Sequence, residues 1–267
     1  MNPRGFACLM YHELERPGRP LCQSGPGYVR YILQETKFRD HMRWLQASGW
    51  RGVSVGEALG SCEMRRVAIT FDDGCETDLL IAAPILKQTG NGATFYVTAG
   101  FLGEPGYLSA SQLRELQALG FEIGCHSMTH PYLNDLDDSA LRREIVEAKE
   151  RIEQLIGKPV EHFSCPGGRY DHRAVAFARA AGYRSMANSQ GSLNSSSTDP
   201  FFLGRIAVLR ETSEPSFRSS CQGKGLWKRR LRDSVKYSAR SLMGNFLYDR
   251  IRALILRDNN VTDGIVR

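Results

Sequence analysis

Two carboxylates in a row, Asp72 and Asp73, stand directly after an apolar run, Val67–Phe71, and before Gly74. A second apolar run, Phe121–Cys125, ends in His126-Ser127-Met128-Thr129-His130. Charge is costly inside a strand, so an acid pair where one emerges marks a site rather than a core position. A helix cap alone would explain the acids but not the apolar approach to them. Two imidazoles four residues apart can face one ion from a single helical turn. Asp73, His126 and His130 therefore form the ligand set of a catalytic divalent metal, with a second carboxylate beside it as base. A third run, Glu161–Cys165, passes into Pro166-Gly167-Gly168. Glycine there lets the Gly167 N–H approach a substrate oxygen as an oxyanion donor; the plain alternative is a Pro-Gly turn.

Those side chains need a scaffold that brings strand ends together. From Phe6 to about Arg210 the pattern alternates short apolar strands with amphipathic helices. Strands are expected at Phe6–Tyr11, Val53–Val55, Val67–Phe71, Ala93–Val97, Phe121–Cys125, Glu161–Cys165, Tyr183–Ala187 and Leu203–Leu209. Helices are expected at Asp78–Thr89, Ser109–Leu119 with Ser109 as N-cap, Ser139–Ile156 closed by Gly157, and Arg173–Ala181 closed by Gly182; Phe38, Met42 and Leu45 mark another. Such alternation predicts an α/β fold, a distorted and incomplete (β/α) barrel of seven or so strands, whose catalytic residues come from strand C-termini. His12 and Pro166 share that placement with the acids and His126. Ser189–Thr198 reads as a loop.

The 267 residues suit one large core with a tail: 1–212 as barrel domain, 213–225 as linker, 226–267 as a basic amphipathic helical extension. Seven scattered cysteines without a CxxC pair argue against a disulfide framework and for reducing conditions. The start, MNPRGFACLMYHE, lacks the pattern of a secretion signal, and no apolar stretch is long enough to span a membrane, so a cytoplasmic location is expected. The net charge of +6 is an uneven average. Lys224–Arg257 holds ten Lys/Arg against two Asp, leaving 25 basic and 27 acidic residues elsewhere.

TFDDG, then HSMTH with Leu133 beyond it, then a strand ending in Pro-Gly-Gly, resembles the polysaccharide deacetylase family, carbohydrate esterase family four. That resemblance implies a distorted (β/α) barrel and metal-dependent removal of acetyl groups from sugars. It implies Asp72 as base, Asp73, His126 and His130 as metal ligands, and Gly167 as the oxyanion-hole residue. Pro166, Gly168, Tyr170 and Arg205 are placed with the substrate. There are departures. Ser164 stands where the family often has the Arg that pairs with the base, and Gly167 where it has an aromatic residue. Leu203-Gly204-Arg205 replaces a Leu-x-His motif whose His is the general acid. Met10-Tyr11-His12-Glu13 resembles the branch that deacetylates biofilm-type exopolysaccharides, so His12 is the expected acid, with a structural strand-end histidine as the plain alternative. Arg205 is a weaker candidate, supplying positive charge near Asp72.

The expected function is removal of acetyl from N-acetylated amino sugars of a polysaccharide or lipid-linked oligosaccharide. Zinc is the first choice of ion, with cobalt or nickel also suited to an Asp-His-His site. A saccharide-binding protein that has lost its acid and a cyclic-amide C–N hydrolase are the alternatives. The tail, with Trp227 and Leu231 among basic residues, is expected to touch an anionic membrane or a glycosyltransferase, or else to pack on the barrel; no nucleic-acid partner is expected.

Overall fold

The computed structural model of the chain describes residues 5–61 and 65–226. Its frame is a curled, largely parallel sheet. β1 (Phe6–Tyr11), β5 (Arg66–Phe71), β6 (Thr94–Val97), β7 (Glu122–Cys125), β8 (His162–Ser164) and β9 (Ser185–Ala187) follow one another in that order. β4 (Arg51–Val53) joins β5, while β10 (Leu193–Asn194) and β11 (Ile206–Ala207) join β1. A separate ribbon pairs β2 (Leu14–Glu15) with β3 (Leu33–Gln34). Every residue of β1 and β5 is buried, as befits parallel strands covered on both faces. Their register sets Tyr11 beside Phe71, so the two strands end level. Tyr11, Phe71 and Phe95 stack in succession at 5.3 and 5.0 Å between ring centroids, a rigid floor beneath those ends.

The helices clothe this sheet with the faces the sequence predicts. Glu35–Ala47 buries Phe38, Met42 and Leu45 at three- and four-residue spacing. Ala110–Ala118 starts in a capping box, Ser109 accepting from the Gln112 N–H while the Gln112 side chain accepts from Ser109. The helical stretch from Asp138 to Ile156 ends at Gly157, whose φ of 68° suits a residue without a Cβ. Its middle, Arg143–Glu147, is wound as a π-helix.

Four expectations change. β4 stops at Val53, because Ser54 caps a short helix, Val55–Gly60, by accepting from the Glu57 N–H. The expected loop Ser189–Thr198 contains β10, antiparallel to β1 at Phe6–Ala7. The expected strand Leu203–Leu209 is reduced to a bridge at Leu203 with Ala187 and to β11, paired with Leu9–Met10. Leu203–Ala207 thus touches both edges of the curled sheet. Finally, residues 213–225 are not a bare linker. Ser213 caps the helix Glu214–Cys221, and Phe217 stacks on His41 at 3.8 Å with near-parallel rings. Its Ser- and Pro-rich start resembles a linker, but Phe217 and Cys221, four apart, give it an apolar face to bury. The body therefore runs past the expected boundary at 212. The expected helical tail, apart from buried Leu226, lies outside the described residues. No helix among the described residues is long and apolar enough to cross a membrane.

Candidate active site

Three strands of the sheet, β5, β7 and β8, deliver the site at their C-terminal ends. β5 ends at Phe71, so Asp72 and Asp73 emerge above the aromatic floor, followed by Gly74. Asp73 has φ of 80°, a left-handed conformation that an L-residue adopts only at a cost, and Gly74 has φ of 79°. A Cβ on Gly74 would come within 3.0 Å of Val97, so the turn is left-handed and crowded. β7 delivers His126, and β8 delivers Ser164. Asp73 Oδ1 lies 3.6 Å from His126 Nε2 and 3.4 Å from His130 Nε2, and the second Asp72 oxygen lies 3.7 Å from His126 Nε2. The ligand atoms of Asp73, His126 and His130 all lie within 4.8 Å of one another.

The residues present fit a divalent ion. Two ligands about 2.1 Å from a tetrahedral ion stand about 3.4 Å apart, the spacing at which Asp73 meets the imidazoles. Asp73 Oδ1 is buried without a hydrogen-bond partner, a costly state unless something else engages it. His126 Nδ1 lies 2.8 Å from the Ser164 carbonyl oxygen. Donation there leaves the Nε2 lone pair facing Asp73, which is how metal-binding imidazoles are commonly oriented. Burial lowers the His126 pKa to about 4, against the pull of Asp72, so the ring is neutral and ready to ligate.

The two histidines do not share a helical turn, contrary to the sequence expectation. Ser127 and His130 have φ of 70° and 64°, which no right-handed helix accommodates. Glu144 instead organises the bend. One of its oxygens accepts from the Met128 and Thr129 N–H groups at 2.9 and 2.8 Å, and the other from the Thr129 hydroxyl at 2.8 Å. The Ser127 hydroxyl accepts from the His130 N–H at 2.9 Å. Glu144 sits in the π-wound segment, far along the chain, and was not singled out in the sequence. Its one signal was a carboxylate beside Ile145, where the helix turns its apolar face inward.

Arg205 occupies the centre of the curled sheet. Its two terminal nitrogens donate to the two Asp72 oxygens, each at 2.7 Å, and it also donates to Ser164 Oγ at 2.8 Å and the Asn188 carbonyl at 3.1 Å. It is 1% exposed and lies behind the carboxylate, supplying the positive charge expected near Asp72, and is not among the substrate-facing residues, the other expectation for it. A position between both sheet edges, unreadable from a Leu-Gly-Arg triplet, is the reason. Burial alone would raise the Asp72 pKa, but the Arg205 charge and hydrogen bonds outweigh it and hold the carboxyl well below the usual range. Ser164 cannot pair with Asp72 as an Arg would; Arg205 does so from the segment just before β11.

Residues 60–186 match the family model described as Polysaccharide deacetylase. The chain carries a polysaccharide deacetylase domain. It is 26% identical over 222 residues to YxkH of Bacillus subtilis, covering 81% of this chain and 76% of that protein. It is 21% identical over 203 residues to the poly-beta-1,6-N-acetyl-D-glucosamine N-deacetylase of Staphylococcus aureus, covering 69% and 70% respectively. Among solved structures, the deacetylase PplD of Streptococcus pyogenes, in complex with acetate, superposes with a TM-score of 0.72 at 22% identity, over 82% of this chain and 99% of that one. The curled sheet is thus the deacetylase fold.

Around the acids of this deacetylase domain, the remaining expected residues are placed unevenly. His12 follows β1, with its ring 4.7 Å from that of Tyr31 and its buried Nδ1 without a hydrogen-bond partner. Burial lowers its pKa, while Asp73 and Asp72 pull the other way, which puts it within electrostatic reach of both. Pro166 is buried, and Gly167 turns the chain with φ of 60°. A Cβ on Gly167 would meet the Tyr132 ring at 2.8 Å, and one on Gly168 would meet the Ser189 backbone nitrogen at 2.7 Å. Both glycines are therefore required by space as well as by φ. Tyr170 lies by the polar loop, its hydroxyl 3.5 Å from the Asn188 amide.

Proposed function

We propose that this protein is a divalent-metal-dependent hydrolase that removes acetyl groups from N-acetylated amino sugars of a polysaccharide or lipid-linked oligosaccharide. The observation that carries this reading is the buried, unpartnered Asp73 Oδ1 converging with His126 and His130 beside a second carboxylate. A divalent ion held by those three residues, zinc by preference, supplies Lewis acidity that polarises the acetyl carbonyl and acidifies an attacking water. Asp72 accepts the proton from that water, held in one orientation by Arg205. The Gly167 N–H donates to the oxygen on which charge develops. His12 protonates the departing amine, so that water and amide become acetate and free amino sugar. The named activity of the S. aureus relative makes a β-1,6-linked N-acetylglucosamine oligomer the first substrate to test. Acetate release from it by ion-loaded protein tests the proposal; a bound ion with no turnover on it or on acetylated chitooligosaccharide would favour a saccharide-binding role instead.

Assignment of the acid is tested separately. His12→Ala is expected to lower kcat by about 10²-fold, the lower end of what a positioned acid contributes, with ion content and melting temperature unchanged. A kcat within twofold of the parent would return His12 to a structural role against Tyr31.

The basic segment beyond Leu226 supports a further part of the reading, a cytoplasmic enzyme held at the inner membrane face. Each basic residue near an anionic surface contributes about 1 kcal/mol, so the net charge of +6 over residues 227–267 (ten Lys/Arg against four Asp) suffices for peripheral binding. Because Glu214–Cys221 packs on the body, the informative truncation ends at Leu226. Full-length protein is expected to sediment with anionic liposomes at low salt and not at high salt, and the truncated protein not at all. Equal sedimentation of the two would assign the tail to other work.

A further inference from the structure

A second group of ligating side chains lies beside the acid pair and takes no part in the reaction proposed above. One carboxylate oxygen of Glu13 and the sulfurs of Cys22 and Cys75 all lie within 4.8 Å of one another. Three separate stretches supply them. Glu13 precedes β2, Cys22 belongs to the loop between β2 and β3, and Cys75 follows Gly74 in the turn that carries Asp73. Glu13 and Cys75 are buried, and Cys22 is half-buried, which leaves a way in from solvent. Both Glu13 oxygens accept from the Cys22 N–H at 3.1 Å, and the Cys22 thiol points at the Gly106 carbonyl at 3.0 Å. The Cys75 sulfur meets the Tyr28 hydroxyl at 3.4 Å.

These contacts do not satisfy the cluster. Asp78, 1% exposed, lies within electrostatic reach of Cys75, Cys22 and Glu13, and neither of its oxygens has a hydrogen-bond partner. Two thiols and one carboxyl thus share one largely buried spot, with a second carboxyl within electrostatic reach. The cationic side chain that reaches Glu13 is Arg19, which pairs with Glu76 through one terminal nitrogen while the other is buried without a hydrogen-bond partner. Two thiols and a carboxylate from separate stretches, gathered beside a buried carboxyl whose oxygens lack partners and served by a single arginine, make more ligating capacity than that one cation uses.

We propose that Glu13, Cys22 and Cys75 bind a second divalent ion of borderline-soft character, zinc or cobalt, with the nearby Asp78 carboxyl adding negative charge outside the ligand set. Thiolates select such ions over magnesium or calcium. Side-chain rotation brings ligand atoms from within 4.8 Å to the about 3.5–3.8 Å of a tetrahedral thiolate site. The ion fastens the β2–β3 loop to the turn after Asp73 and so holds the reaction's carboxylates from outside. This site stands whether or not the chain is a deacetylase.

The test uses full-length protein, kept reduced, stripped with chelator and titrated with cobalt. Two ions per chain are expected, with a near-ultraviolet thiolate-to-cobalt charge-transfer band that the Asp-His-His site cannot produce. Cys22→Ser and Cys75→Ser should each lose the band and one ion, while His126→Ala should lose one ion and keep the band. Glu13→Gln, which leaves both sulfurs in place, should weaken cobalt binding at the band by at least tenfold and guards against a Cys75 variant that fails to fold. A single ion per chain, the absence of the band in folded parent protein, or a Cys22–Cys75 disulfide that forms in place of ion binding would each overturn the proposal.

Discussion

His126→Ala is expected to lose the ion held at the strand tips and all measurable deacetylation. Its Nε2 is 3.6 Å from the Asp73 oxygen that has no hydrogen-bond partner, and its Nδ1 is already aligned by the Ser164 carbonyl. Removal of an aligning partner typically costs about 10–100-fold in metal affinity, and removal of a ligand from a site of three costs more. The fold should persist, since His126 follows the end of β7 and is buried among the polar groups of the site, held by the Ser164 carbonyl and facing the two acids. Elemental analysis of protein purified without chelator, with acetate release on the same sample, checks both halves. Retention of the full ion content by the variant would show that Asp73 and His130 are not its partners in ligation, and the site would have to be redrawn.

Asp72→Asn separates the base from the ligands. An amide cannot take the water's proton, so kcat is expected to fall by about 10²–10⁴-fold while the ion stays. The structure adds a second effect. Arg205 is buried with both Asp72 oxygens as its acceptors, and an amide leaves that charge without its counter-charge. Breaking a buried pair from one side costs about 3–5 kcal/mol, so the variant should also melt at lower temperature and must be assayed well below that point. The sign with pH follows from the depressed Asp72 pKa. The pair's contribution to stability is fully present above the unfolded carboxyl value of about 3.9 and is lost as pH falls through the lower folded value. Asp72→Asn should therefore flatten the acid end of the stability profile relative to the parent. Turnover within a few-fold of the parent, with the variant folded, would move the base elsewhere.

Much of this protein is legible along the chain because its information is local. An apolar run that ends in two acids and a glycine announces a strand tip, and a serine three residues before a glutamine announces a helix start, since backbone geometry, capping and burial act over a few residues. Asp72, Asp73, His126 and His130 could be picked out in that way, as could the alternation that makes the sheet. What only the tertiary structure decided depends on meetings between distant segments. Arg205 follows a short, irregular stretch with no helical or strand period, yet it reaches Asp72 because residues 203–207 touch both edges of a sheet that has curled. Glu144 shapes the histidine bend from a helix, by taking N–H groups that a helical turn would have paired internally. The helix Glu214–Cys221 is recognisable only once His41 and the core offer Phe217 a surface, because a short amphipathic segment is not stable alone. Glu13, Cys22 and Cys75 are scattered residues in sequence and one cluster in space. Local pattern determines which elements form and where their reactive ends lie; the curl of the sheet decides which ends face each other, and buried charge then has a partner only where that curl supplies one.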